Sequence, residues 1–331
     1  MSEIPKNWSH KIFHSKLNNF EELCLQAFHF QFHSNKVYNK YCRLLGINEA
    51  NDITDIRKIP HIPVELFKTL TIKTGEFESQ KIFESSGTTG MLNSKHHVAD
   101  LNLYKESFTS CFTQFFGNIS NYCFLGLLPS YLEKSNSSLV YMVQQLMAIS
   151  GNPQNGFFLF EHDVLFERIQ SLEKNKQPYI LFGVSFALLD FAEKFHFKME
   201  YGRVIETGGM KGRKKEITKD ELISQLSNGF QSSKISSEYG MSELLSQAYS
   251  LENGQYQPPA WMKVQTTEIN DPGKFCRIGK TGIIQVIDLA NIHTCCFIKT
   301  SDIGIIHEDE KFEVLGRIDH SDMRGCSLLI S

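Results

Sequence analysis

The chain has 331 residues, with 34 Lys and Arg against 37 Asp and Glu, for a formal net charge of −3. That balance makes no electrostatic case for nucleic acid or an anionic membrane as partner, and no apolar run reaches the roughly 18 residues of a membrane span. Apolar residues make up 41% of the chain and include 26 Phe, enough for a large core and for lining an apolar pocket.

The first predicted element is one long helix over residues 16–45. Phe20, Leu23, Ala27, Phe28, Tyr38, Tyr41 and Leu45 recur at helical spacing, and Gly46 stands where a C-terminal cap belongs. Ile59-Pro60-His61-Ile62-Pro63 then interrupts regular structure. Next come Ser85, Ser86, Gly87, Thr88, Thr89 and Gly90, with Lys95 beyond them. Such a run makes a poor core segment and a good anion cradle. Glycines let backbone N–H groups approach an oxyanion, hydroxyls add donors that rotate to fit, and Lys95 brings a mobile positive charge. Taken alone, the run also reads as a solvated loop, and the adjoining His96 and His97 as a solvated pair.

From about residue 100 to 240, short apolar runs alternate with helical stretches. Residues 122–128, 157–160, 179–182 and 204–206 read as buried strands, and 103–116, 139–149, 164–172, 187–195 and 221–226 as the helices between them. That alternation implies a mostly parallel sheet covered on both faces. Lys211, Arg213, Lys214 and Lys215 precede Glu216 and Asp220 and read as a solvated helix start. Beyond 250 the pattern changes to short strands at 283–288, 296–299, 303–306 and 312–315, a small β subdomain.

Eight cysteines (Cys24, Cys42, Cys111, Cys123, Cys276, Cys295, Cys296 and Cys326) form no Cys-x-x-Cys pair and no zinc spacing. Without an apolar N-terminal signal region they suggest no disulfide framework, so the expectation is a reduced, cytoplasmic protein. Cys295 and Cys296 read as small packing residues.

Three later segments complete a pattern with the 85–90 run: Tyr239-Gly240-Met241-Ser242-Glu243, Thr300-Ser301-Asp302 and Gly316-Arg317-Ile318-Asp319. In order and spacing they resemble the adenylate-forming superfamily of acyl-CoA synthetases, aryl-CoA ligases and nonribosomal peptide adenylation domains. The proline-rich entry at 59–63 resembles the phenylacetate-CoA ligase branch. The resemblance implies that residues 85–90 hold the ATP phosphates and that Tyr239 lies beside the adenine. Gly240 and Ser242 belong to the same nucleotide segment, Glu243 binds Mg²⁺, and Asp302 binds the ribose hydroxyls. Gly208 and Gly209 match the loop between adenine and acyl pocket, and Arg317 stands at the hinge to a small C-terminal domain. Read without the resemblance, Glu243 would cap a helix, Asp302 would be a turn residue, and Gly208-Gly209 would be a turn.

The implied fold is the large N-terminal domain of an adenylate-forming enzyme, mostly parallel sheets flanked by helices plus a small β subdomain, lacking the usual C-terminal domain. The expected division is a body over 1–317, α/β to about 250 and β-rich over 251–317, followed by a tail over 318–331. A shortened enzyme ending in Arg324-Gly325-Cys326-Ser327-Leu328-Leu329 is similar to the acyl-protein synthetases of the bacterial luminescence fatty-acid reductase complex. Leu127-Leu128-Pro129-Ser130-Tyr131-Leu132-Glu133 and the segment from Glu206 to Arg213 carry the same resemblance.

That family implies ATP and Mg²⁺ as cofactors, a fatty acid or other apolar acid as substrate, and an acyl reductase, acyltransferase or acyl carrier protein as partner. Lys95, Arg317 and Cys326 are then the candidate catalytic residues. Cys326 is the acyl acceptor because a thiolate attacks a mixed anhydride readily; Arg324 would favour the thiolate and Asp322 would partly offset it. Leu328, Leu329 and Ile330 allow the alternative of a buried tail cysteine. Phe157, Phe158, Phe182 and Phe186 are candidates for an alkyl tunnel or for sheet–helix packing. Two other functions stay open: an acyl- or aryl-CoA ligase, or one that charges a carrier protein, and a non-catalytic binder of an acyl adenylate.

Overall fold

The computed structural model describes residues 4–14, 19–85, 92–129, 136–208, 217–271 and 273–318. The parts of the chain outside them include Ser86 to Gly90, Gly209, the basic run at 211–215 and Cys326.

Three short strands come first: β1 (Ile62–Pro63), β2 (Lys81–Glu84) and β3 (Lys95–Val98), the last two an antiparallel ribbon. A central sheet follows from β4 (Cys123–Leu127), β5 (Gly156–Phe158), β6 (Tyr179–Val184), β7 (Gly202–Thr207), β8 (Ile235–Tyr239) and β9 (Ala248–Ser250). Its order is β5-β4-β6-β7-β8-β9, parallel throughout except for β9. Every residue of β4, β6 and β8 is buried, so both faces of the sheet are covered. A second sheet is built from β10 (Met262–Thr267), β11 (Gly282–Asp288), β12 (Phe297–Ile306) and β13 (Phe312–Arg317), with β1 joining it as a parallel partner of β12.

The helices are α1 (Trp8–Phe13), α2 (Phe20–Ser34), α3 (Lys36–Leu44), α4 (Leu66–Thr69), α5 (Leu101–Phe116), α6 (Ser138–Ser150), α7 (His162–Lys174), α8 (Ser185–Lys194) and α9 (Lys219–Phe230). Helix α6 packs on β4, α8 on β6 and β7, and α9 on β8. The alternation expected between residues 100 and 240 is therefore present, with ends displaced by a few residues.

Three expectations need correction. The long helix over 16–45 is two helices, broken at buried Asn35. Its side chain accepts from the Tyr38 N–H (3.0 Å) and donates to the Thr294 carbonyl (2.7 Å) and to Thr74 Oγ1 (3.1 Å). Capping α3 while reaching two distant groups requires extended backbone at Asn35, and the helix yields. The two strands at 296–299 and 303–306 are one ten-residue strand, β12. Thr300, Ser301 and Asp302 run through its middle, and a register shift after Ile303 accommodates them. Asp302 is thus a strand residue paired with Arg317, not a turn residue.

Candidate active site

The carboxyl-terminal ends of parallel strands leave a crevice outside the sheet where ligands of such folds bind, and here β6, β7 and β8 end in Val184, Thr207 and Tyr239. Tyr239 is 9% exposed and its hydroxyl donates to Asp302 Oδ2 (2.9 Å). Its ring meets Phe312 edge-on (5.3 Å between centroids) and Tyr256 (5.8 Å), which themselves stack. Asp302 Oδ1 accepts from Arg317 Nε (2.9 Å), an ion pair between a carboxylate 9% exposed and a guanidinium 70% exposed. Arg317 therefore presents its outer face to solvent beside the site, held charged above its usual range by the Asp302 carboxylate. The bond from the Ile318 N–H to the Ser301 carbonyl (2.8 Å) keeps the end of β13 on β12.

The Gly240–Glu243 turn is fastened from three sides. His96 Nδ1 lies 2.7 Å from the Ser242 carbonyl and Nε2 lies 3.1 Å from Thr294 Oγ1. Burial pulls His96 down to about 4, so the neutral ring donates from Nδ1 and accepts at Nε2. Asn291 Nδ2 donates to the Glu243 carbonyl (2.8 Å). Asp288, fully buried, accepts from the N–H groups of Leu245 (2.9 Å) and Ser246 (3.0 Å) and from the Ser246 hydroxyl (2.6 Å). Glu243 is 5% exposed and its Oε1 accepts from the Ser94 hydroxyl. Burial raises its carboxyl above the ordinary range, while Ser94, Arg317 and Lys68 pull the other way.

A single buried carboxylate fits Mg²⁺ in the mode where the ion keeps its waters and phosphate oxygens and takes one or two protein ligands. Among the described residues no group of three His, Cys, Asp or Glu could hold a metal alone.

Ser85 and Ser94 meet where the β2–β3 ribbon ends. The Ser85 N–H donates to the Ser94 carbonyl (3.2 Å), and the Ser94 N–H to Ser85 Oγ (3.0 Å). Since Ser94 also donates to Glu243, this end of the ribbon is tied to the candidate metal ligand. Lys95 is exposed, opposite Glu84 on the ribbon. Gly208, the residue after β7, has φ +72°, a left-handed backbone suited to glycine, and its carbonyl accepts from the Ser185 hydroxyl.

The structure thus joins Tyr239, Asp302 and Arg317 in one bonded group and places Glu243, Ser242 and Ser85 beside it. The reading of Glu243 as a helix cap is overturned, because no helix follows it and its carboxylate holds Ser94. His96 and His97 are not a solvated pair: His96 is 1% exposed, and half-buried His97 lies 3.0 Å from Ser79 Oγ through Nδ1. Of the tunnel candidates, Phe158 and Phe182 are buried in the core. Phe186 is also buried, and it lines an apolar cleft of about 380 Å³ with Pro129, Leu159, Phe160 and Ala187, with His162 and Asp190 at its polar edge. Asp288, Asn291 and Thr294 were missed; their regular spacing of three in a mainly apolar stretch was the available signal.

Solved adenylate-forming enzymes share this architecture. ATP-bound MatB from Rhodopseudomonas palustris matches with a TM-score of 0.55 at 16% identity, over 71% of this chain and 47% of MatB. An open form of 2-hydroxyisobutyryl-CoA ligase matches with 0.64 at 9% identity, over 91% of this chain and 69% of that enzyme. O-succinylbenzoate CoA synthetase from Bacillus subtilis, in complex with ATP and magnesium ion, gives 0.53 at 16%, over 91% and 62%. The chain spans about half the length of MatB, and it has the adenylate-forming fold that its motifs imply.

The family model of the acyl-protein synthetase LuxE matches residues 1–331, and the chain belongs to that family of ligases. The long-chain-fatty-acid–luciferin-component ligase of Vibrio harveyi is 22% identical over 333 residues, covering 92% of this chain and 85% of that protein.

Proposed function

We propose that the chain uses MgATP to convert a long-chain fatty acid into an acyl adenylate and then passes the acyl group to a cysteine thiol. The observation that carries this reading is the Tyr239–Asp302–Arg317 group beside the buried Glu243. A carboxylate fixed from both sides is ready to accept two neighbouring hydroxyls, as a ribose offers.

In the first step a carboxylate oxygen of the acid attacks the α-phosphorus, a P–O bond forms and pyrophosphate leaves. Lys95, Arg317 and the 85–90 segment neutralise charge that develops on phosphate oxygens, and Glu243 is the residue that would hold Mg²⁺. The ion supplies charge neutralisation when bound. In the second step the Cys326 thiolate attacks the acyl carbonyl, the thioester forms and AMP leaves. The cleft at Phe160 and Phe186 offers an alkyl chain an apolar wall of Pro129, Leu159, Phe160, Phe186 and Ala187, with His162 and Asp190 at its polar edge. The acyl thioester is a form suited to an acyl reductase or acyltransferase partner. A reducing cytoplasm suits a chain whose seven described cysteines are all free, and no described helix could cross a membrane.

The test is ATP–pyrophosphate exchange with fatty acids, followed by mass analysis of the acid-quenched protein. Exchange plus a hydroxylamine-labile acyl adduct is expected for the native chain, and Cys326→Ser keeps the exchange while losing the adduct. An adduct that persists in the variant moves the acceptor elsewhere. A product found only on CoA or on a carrier protein refutes the protein-thiol step.

A further inference from the structure

Beside the crevice, where β7 runs next to β8, lies a second polar group. Lys219, the first residue of α9, extends its ammonium to Glu206 Oε2 (2.5 Å). Glu206 is 2% exposed, and its other oxygen lies 2.5 Å from the Ser185 hydroxyl. The Gly208 carbonyl is a second acceptor for the same hydroxyl, whose single proton the two oxygens share. Lys219 of α9, Glu206 of β7, Ser185 of α8 and Gly208, the left-handed residue just after β7, are thus linked in one path.

The lysine has a second contact. Its Nζ sits over the ring of Tyr256 (5.6 Å to the centroid), and that ring backs both Phe312 and Tyr239. Its stem passes beneath the turn at Gly254, where an added Cβ would come within 3.2 Å of Lys219 Cγ. Only 26% of the Lys219 side chain is exposed, so it is fixed in place, unlike a snorkelling surface lysine.

We propose that Lys219 is a positioning residue, setting the Gly208 carbonyl through Glu206 and Ser185 and the Tyr239 ring through Tyr256, so that both sides of the nucleotide crevice hold their spacing. The inference rests on the function proposed above, since it takes Tyr239 and Gly208 as crevice walls. A buried carboxylate would also call for a cation, so the test must separate positioning from charge balance.

MgATP binding by calorimetry, pyrophosphate exchange kinetics and thermal midpoint are measured on the full chain. Lys219→Met is expected to raise the Kd for MgATP about tenfold while the exchange kcat changes less than about threefold. Lys219→Arg keeps a cation on both Glu206 and the Tyr256 ring and is expected to recover most of the affinity. The double variant Glu206→Gln, Lys219→Met removes the unpaired carboxylate, so its midpoint returns while its Kd stays raised. If affinity and midpoint return together, or if Lys219→Met binds MgATP as the native chain does, the inference is overturned. Should Lys219→Met fail to fold, the Arg and double variants carry the same comparison. A native chain that neither binds MgATP nor exchanges pyrophosphate refutes the proposed function itself and the inference with it. A native chain that exchanges normally leaves the variants to judge the inference alone.

Discussion

Glu243→Gln separates the metal role of this residue from its place in the fold. The Ser94 hydroxyl donates to Glu243 Oε1, and an amide oxygen can accept the same bond. The Asn291 bond goes to the Glu243 backbone carbonyl and is untouched. The fold should therefore lose no more than about 1 kcal/mol. The charge is a larger matter. Two unit charges about 4 Å apart at an effective dielectric near 20 interact by about 4 kcal/mol, so the bound cation and the transition state lose roughly that much, on the order of a thousandfold in rate. Because burial raises the Glu243 carboxyl, the native enzyme should lose activity as pH falls through the mildly acid range. A proton then occupies the group that must be ionised, and added Mg²⁺ should shift the loss to lower pH by competing with that proton. The assay is ATP–pyrophosphate exchange over a grid of pH and Mg²⁺, with acyl transfer from pre-formed acyl-AMP as control. Glu243→Gln should lose exchange and its acid limb while transfer largely survives. Exchange within threefold of native, or equal loss of both half-reactions, would refute the metal assignment.

Glu238 is buried against Thr207, and burial pushes it up to about 7. A carboxyl raised in the folded state adds stability fully present below its ordinary pKa and lost as pH rises toward 7, so Glu238→Gln should stabilise the protein above pH 7 by up to about 3 kcal/mol and change little at acid pH; urea midpoints across pH check this. Asp288→Ala leaves the Leu245 and Ser246 donors without their buried acceptor and should cost about 4 kcal/mol or more, read as a lower urea midpoint with exchange lost in parallel. At Gly240 an added Cβ would run into Glu238 Oε1, so Gly240→Ala should weaken MgATP binding at least tenfold in calorimetry; unchanged binding would show that the turn can yield.

What the amino-acid sequence determined by itself was local in origin. Apolar runs such as residues 179–182 mark a buried strand because neighbouring residues share one environment. Tyr239, Glu243, Asp302 and Arg317 stood out because each lies in a short segment of recognisable composition. The tertiary structure alone decided what depends on partners far along the chain. Asn35 breaks a helix that periodicity favours because Thr74 and Thr294 take its amide. The strand at Ile235–Tyr239 carries Ser236, Ser237 and Glu238, which hide it from an apolar pattern; neighbours on both sides make it a strand. His96 reads as a solvent-facing residue until Ser242 and Thr294 close over it. Lys219 and Glu206, on separate elements, become partners only when α9 packs on β8 and α8, which flank β7, because a buried carboxylate must find its cation wherever the fold brings one within reach.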